Sequence, residues 1–130
     1  MNTQTNADSR SLNCDLLVIG SGASGLAAAV TAAAQGLKVI VVEKHETFGG
    51  ATAWSGGWLW IPGNPLAKRA GIHEDPQQPR TYLRNELGSR YNAERIDAFL
   101  DNAPRMVSFF EEKTTLKWVD GNGIPDIHGR

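Results

Sequence analysis

The pattern Gly20-x-Gly22-x-x-Gly25, set between an apolar run and an alanine-rich run, restricts this chain more than any other feature of it. Before it stands Leu16-Leu17-Val18-Ile19. Four apolar residues without polar alternation predict a strand over residues 15–19 that is buried on both faces, as in a parallel sheet. After it, residues 23–35 are rich in Ala and include Leu26, both strong helix formers, and Gly36 stands where a helix ends at C′. Residues 38–42 then carry Val39-Ile40-Val41-Val42, a second apolar strand. Strand, helix and strand within about 30 residues make a βαβ unit. The predicted class is therefore α/β: a Rossmann-like unit with parallel strands.

Each part of the motif has a physical task. Gly20 permits the tight turn out of the strand. Gly22 carries no side chain, so a pyrophosphate can approach the backbone. Gly25 lets helix and strand pack closely. The first N–H groups of the helix, near Ala23 and Ser24, lack intrahelical partners and are suited to phosphate oxygens. Glu43 ends the second strand, 18 residues past Gly25, and its carboxylate can accept hydrogen bonds from ribose hydroxyls. The same negative charge disfavours a 2′-phosphate, and with it NADP. The unit alone does not separate NAD from FAD. The next segment helps, because residues 48–64 have neither helical nor strand period. Gly50, Thr52, Ser55, Gly56 and Gly57 offer backbone N–H groups, small side chains and hydroxyls to a long cofactor.

Beyond that segment a mainly helical stretch is expected. A short turn at residues 66–70 precedes a helix at 78–87, with Pro79 in its first turn and Gly88 as its stop. A further helix starts near Asn92, a good N-cap, is interrupted at Pro104 and resumes with Met106. Residues 116–119 read as a short strand. The 13 Lys and Arg against 14 Asp and Glu leave a net charge of −1, which supplies no footprint for nucleic acid. No apolar run approaches the roughly 18 residues of a membrane span. Residues 1–13 are polar and read as a flexible lead-in without a secretory signal. A single cysteine, Cys14, excludes an internal disulfide and a multi-cysteine metal site, reads as a small half-buried residue, and fits a reducing cytoplasm. No metal ligand set is expected.

Three stretches carry a resemblance. Asp15-Leu-Leu-Val-Ile-Gly-Ser-Gly-Ala-Ser-Gly, then Val-Ile-Val-Val-Glu-Lys, then Phe48-Gly-Gly-Ala-Thr-Ala-Trp-Ser-Gly-Gly together resemble the N-terminus of FAD-dependent oxidoreductases. The group is that of the fumarate reductase and succinate dehydrogenase flavoproteins and the 3-ketosteroid Δ1-dehydrogenases. Trp58-Leu-Trp-Ile-Pro-Gly-Asn-Pro, with Arg80-Thr-Tyr-Leu, is most similar to the steroid branch. The resemblance implies FAD as cofactor and that Gly20, Gly22, Ala23, Ser24, Glu43, Lys44, Gly50, Thr52, Ser55, Gly56 and Gly57 lie against it. It implies removal of two hydrogens from adjacent carbons beside a carbonyl or carboxylate, or the reverse, on a small molecule such as a steroid-like ketone. The alternatives are a fumarate- or tricarballylate-type carboxylate enzyme and a truncated, non-catalytic dinucleotide-binding module. Members of the group are much longer. Residues 14–130 are accordingly expected to be the N-terminal part of an FAD-binding domain, an incomplete and inactive piece, with no catalytic residue identified in it and the electron acceptor unnamed. One departure stands out. Where steroid dehydrogenases carry a tyrosine after a Pro-Asp pair, Pro125-Asp126 is followed here by Ile127 and His128, which argues against a steroid and makes His128 a candidate proton carrier.

Overall fold

The structure, a computed structural model, describes residues 11–121 and 123–124. They divide between Trp58 and Leu59 into two compact units. In the first, β1 (Leu16–Ile19) and β2 (Val39–Val42) pair in parallel, Leu16 opposite Val39 and Ile19 opposite Val42. The helix α1 (Ala23–Ala34) joins them. The ladder is extended at one end by Gly20 N–H to Val42 O, 2.8 Å. At the other end Asp15 N–H donates to Lys38 O at 2.8 Å while the Asp15 carboxylate accepts from Lys38 N–H at 2.8 Å. The C-terminus of α1 is a Schellman turn: Gly36 N–H donates to Ala33 O and Leu37 N–H to Ala32 O, with Gly36 at φ 86°.

The expectation that the strands are buried on both faces is corrected. Val18 is buried, as are Ala29 and Ala32 of α1, but Leu17 and Ile19 are 53% and 82% exposed. Strand residues alternate between faces, and within this unit α1 covers one of them. Cys14 is half-buried, as expected of a small residue at the head of a strand. The segment after β2 is not wholly irregular either: Gly50–Trp54 form a 3-10 turn entered through Gly49 at φ 113°. A short glycine- and alanine-rich run has no amphipathic period by which such a turn could be recognised.

Among its described residues the second unit holds three α-helices, α2 (Pro65–Arg69), α3 (Gln77–Leu87) and α4 (Ala93–Lys113), with a 3-10 turn at Gly88–Arg90 between the last two. Asn64 caps α2 by accepting from Ala67 N–H at 3.0 Å, and Asn92 caps α4 by accepting from Arg95 N–H at 3.0 Å. The helix expected to break at Pro104 runs through it without interruption. Proline in a helix interior costs about 3 kcal/mol. The buried face beside it offsets this: Ala103 and Val107, four residues apart on one face, are buried with Ile61 against Leu66, Met106 and Trp118. The expected strand at residues 116–119 does not form. Instead Thr114 ends α4, donating its hydroxyl to Phe110 O and accepting from Leu116 N–H, and Trp118 turns its indole N–H back to Val107 O at 3.0 Å. Packing that ring on the core satisfies its one donor and leaves the segment no ladder to join. Two ion pairs brace the helices, Arg69 with Glu111 and Arg80 with Asp97.

Candidate functional site

The first unit carries an open cleft of about 520 Å³ where both parallel strands end. Ile19, Gly20, Ser21 and Gly22 line it together with Val42, Glu43, Lys44 and Gly50. Of the residues singled out in the sequence, Gly20, Gly22, Glu43, Lys44 and Gly50 thus meet in one place. The parallel register accounts for this. Once Ile19 sits opposite Val42, the residues that follow each strand leave the sheet side by side.

The glycines divide by task. A Cβ on Gly22 would meet nothing within 4 Å, so its backbone faces open space. A Cβ on Gly25 would lie 2.0 Å from the carbonyl oxygen of Gly20 and 3.3 Å from a Val18 methyl. Gly25 is therefore the close-packing position the motif predicts, and the space over Gly22 is open. Gly20 adopts φ 94°, a conformation that side chains other than glycine disfavour. Gly50, at φ 55°, stands against the turn itself, where an added Cβ would be 3.3 Å from Gly22 Cα.

Glu43 is held by three hydrogen bonds. Ser21 donates its N–H at 2.8 Å and its O–H at 2.5 Å to Oε2. The N–H of His45 donates to Oε1 at 3.0 Å. These bonds, the Ser21 hydroxyl foremost and then the N–H groups of His45 and Ser21, lower the Glu43 pKa from an ordinary 4.5 to about 2. Glu43 is thus a carboxylate at any physiological pH. Ser21 is buried, and its oxygen also accepts from Gly49 N–H at 2.9 Å. The motif reading passed over Ser21, because a small residue between two glycines looks like spacer. Only its partners, 22 and 28 residues away along the chain, distinguish it.

The remaining sequence candidates lie outside the cleft lining. Ala23 begins α1, and its N–H, expected to be free for an anion, donates to Thr52 Oγ1 at 3.2 Å. A hydroxyl that accepts in this way keeps its own O–H to donate. Ser24 is exposed in the first turn of α1. Ser55 is turned inward on its own loop, donating to Thr52 O at 2.8 Å and accepting from Gly57 N–H at 3.1 Å. A Cβ on Gly56 would lie 2.9 Å from the Trp58 ring, and Gly57 takes φ 72°. Trp54 and Trp58 are exposed, at 91% and 69%. Pro125, Asp126, Ile127 and His128 fall outside the described residues. Among the described residues no helix is long and apolar enough to cross a membrane, and no three His, Cys, Asp or Glu side chains group as a metal site.

A glycine cradle over open space, a helix N-terminus beside it and an ionised acid across a parallel strand pair suit the nucleotide half of a dinucleotide. Residues 15–129 match the family described as FAD binding domain. The chain belongs to that family. Its cofactor is FAD, as the resemblance implied. This FAD-binding chain is 46% identical over 117 residues to 4-oxocyclohex-2-ene-1-carboxylate 5-dehydrogenase of Sinomonas cyclohexanicum, across 90% of the chain and 20% of that enzyme. It is 50% identical over 109 residues to 3-oxosteroid 1-dehydrogenase of Mycobacterium tuberculosis, across 82% of the chain and 19% of the enzyme. Among solved structures it is similar to 3-ketosteroid Δ1-dehydrogenase from Sterolibacterium denitrificans, determined in complex with 1,4-androstadiene-3,17-dione. There the TM-score is 0.67 at 38% identity, over 75% of this chain and 17% of that one. The FAD-binding chain thus spans about a fifth of the length of the relatives it matches.

Proposed function

We propose that residues 14–130 are the N-terminal part of the FAD-binding domain of a dehydrogenase that introduces a carbon–carbon double bond beside a ketone. The substrate is a small molecule with a ketone on a six-membered ring, the feature common to the 3-oxosteroids and the 4-oxocyclohexenecarboxylate for which the relatives are named. The observation that carries the reading is the Gly22–Glu43 cleft in a chain matched to the FAD family over residues 15–129.

The residues present fit the nucleotide half of FAD. Open space over Gly22 admits the pyrophosphate to the backbone. The N–H of Ser24 and the hydroxyl of Thr52, which accepts from Ala23 N–H and keeps its own proton, are the donors for it. The Glu43 carboxylate takes two hydrogen bonds on Oε2 and one from His45 on Oε1, and Oε1, the less occupied oxygen, is the one for a ribose hydroxyl. Lys44 and Gly50 close the same cleft. Ser55, Gly56 and Gly57 shape the loop that follows, toward the flavin half. When bound, FAD supplies the acceptor for the hydride that leaves the substrate carbon.

The test uses the protein in its native full-length form. Purified protein is expected to be yellow with one flavin per chain. Under anaerobic conditions its flavin is expected to bleach on addition of a 3-ketosteroid or a 4-oxocyclohexanecarboxylate. A colourless protein, or a flavin indifferent to both ring ketones and bleached only by an open-chain dicarboxylate, would overturn the reading.

A further inference from the structure

We infer that Ser21 is a positioning residue of the nucleotide site: its hydroxyl couples the Glu43 carboxylate to the Gly49 backbone and so sets the acid and the loop in one arrangement. The inference rests on the FAD reading above and goes beyond the motif, in which position 21 is unspecified.

Ser21 is 1% exposed and is the buried polar side chain among the described residues. A hydroxyl has one proton to donate and two lone pairs. The Gly49 N–H occupies one lone pair, so the proton is directed to Glu43 Oε2. The Ser21 N–H adds a second bond to that oxygen. Oε2 thereby carries two hydrogen bonds from Ser21, and Oε1, which takes the His45 N–H, is left the less occupied oxygen. Ser21 therefore decides which oxygen is open to a ribose hydroxyl. Through Gly49 the same hydroxyl anchors the residue that enters the 3-10 turn at Gly50–Trp54, and that turn delivers Thr52 to the N–H of Ala23. One side chain ties its own turn to two positions 22 and 28 residues further along the chain.

Charged neighbours do not supply this effect. Lys44 and His45 flank Glu43 on its own segment. The first turn of α1 carries no acid, and Gly49–Ser55 contains no titratable residue. The hydrogen bonds from Ser21 and His45 dominate the acidity of Glu43, and Ser21 Oγ is the largest contributor.

The experiment compares native full-length protein with its Ser21→Ala and Ser21→Cys variants. FAD is removed and then titrated back by flavin fluorescence quenching, from about pH 3 to pH 7, which spans the ordinary carboxylate range. In Ser21→Ala the dissociation constant is expected to rise about tenfold, the scale of one lost charge-assisted hydrogen bond. Its acid limb is expected to move up toward the ordinary carboxylate range. Ser21→Cys, nearly isosteric and a weaker donor, is expected to fall between Ser21→Ala and the native protein, and it serves if the alanine variant does not fold. In a Glu43→Gln background the Ser21→Ala change is expected to leave the acid limb where it is. Unchanged affinity and acid limb in both variants would overturn the inference while leaving the FAD reading intact. Weaker binding with an unmoved acid limb would reduce Ser21 to a packing role and overturn it as well. Native protein that took up no FAD would overturn both.

Discussion

Gly22 and Gly25 lie one helical turn apart and meet opposite surroundings. Gly22→Val adds atoms where the protein has none within 4 Å of the new Cβ. The fold is expected to survive, with far-UV circular dichroism unchanged, while the full-length protein loses its flavin absorbance. Gly25→Ala brings a methyl to 2.0 Å from Gly20 O, a distance that requires backbone movement. The gain of about 1 kcal/mol from replacing glycine by alanine in a helix is smaller than the 1–3 kcal/mol typical of overpacking. A net loss of stability is expected, read as a lower denaturant midpoint. Glu43 gives a pH signature. Its folded pKa lies near 2 and its unfolded pKa near 4.5, so the unfolded chain binds more protons between those values. Its contribution is fully present above about pH 4.5 and is lost as pH falls toward 2. Denaturant titrations of native protein and Glu43→Gln are expected to converge as pH falls through that window, with the variant less stable above it.

At the scale of elements, caps and buried stripes decide where helices run. Asn92 accepts from Arg95 N–H and opens the 21-residue helix α4. Asn92→Ala is expected to cost about 1 kcal/mol, measurable as a shift of the unfolding midpoint without loss of FAD. The start of α4 was legible in the sequence for this reason, since the cap is a local bond between neighbours. The passage of α4 through Pro104 was not legible. Proline penalises its own turn, whereas the burial of Ala103 and Val107 against Ile61 and Trp118 depends on segments more than ten residues away. The absent strand at residues 116–119 has the same origin. A run of suitable residues is a strand only where a partner offers a ladder, and Trp118 finds its partner in the Val107 carbonyl instead.

At the scale of the molecule, the two-stranded sheet leaves Leu17, Ile19, Val41 and Val42 exposed, and each strand has one edge without a ladder among the described residues. Exposed apolar edges of this kind promote association. Residues 1–130 expressed alone are expected to self-associate, to hold FAD weakly and to turn over no ring ketone. Sedimentation velocity and a dye-coupled dehydrogenase assay check this. A monodisperse, flavin-loaded, active chain would show that the cleft needs no further protein around the cofactor.

The βαβ unit, its parallel strands, the turn at Gly36 and the close packing at Gly25 were all readable from residue order. They depend on conformational preferences and spacings within about 30 residues, which a sequence states directly. A dinucleotide site was readable for the same reason, since Glu43 falls at the end of the second strand whenever the first unit forms, whereas FAD in particular came from the resemblance. The union of Ser21, Glu43 and Gly49 was not. A serine hydroxyl has no periodicity, and its role appears only when a parallel register brings the ends of β1 and β2 together and the 3-10 turn folds back on them. Hydrogen bonds between segments 22 and 28 residues apart form because burial excludes water from the shared hydroxyl, and burial is a property of the assembled fold.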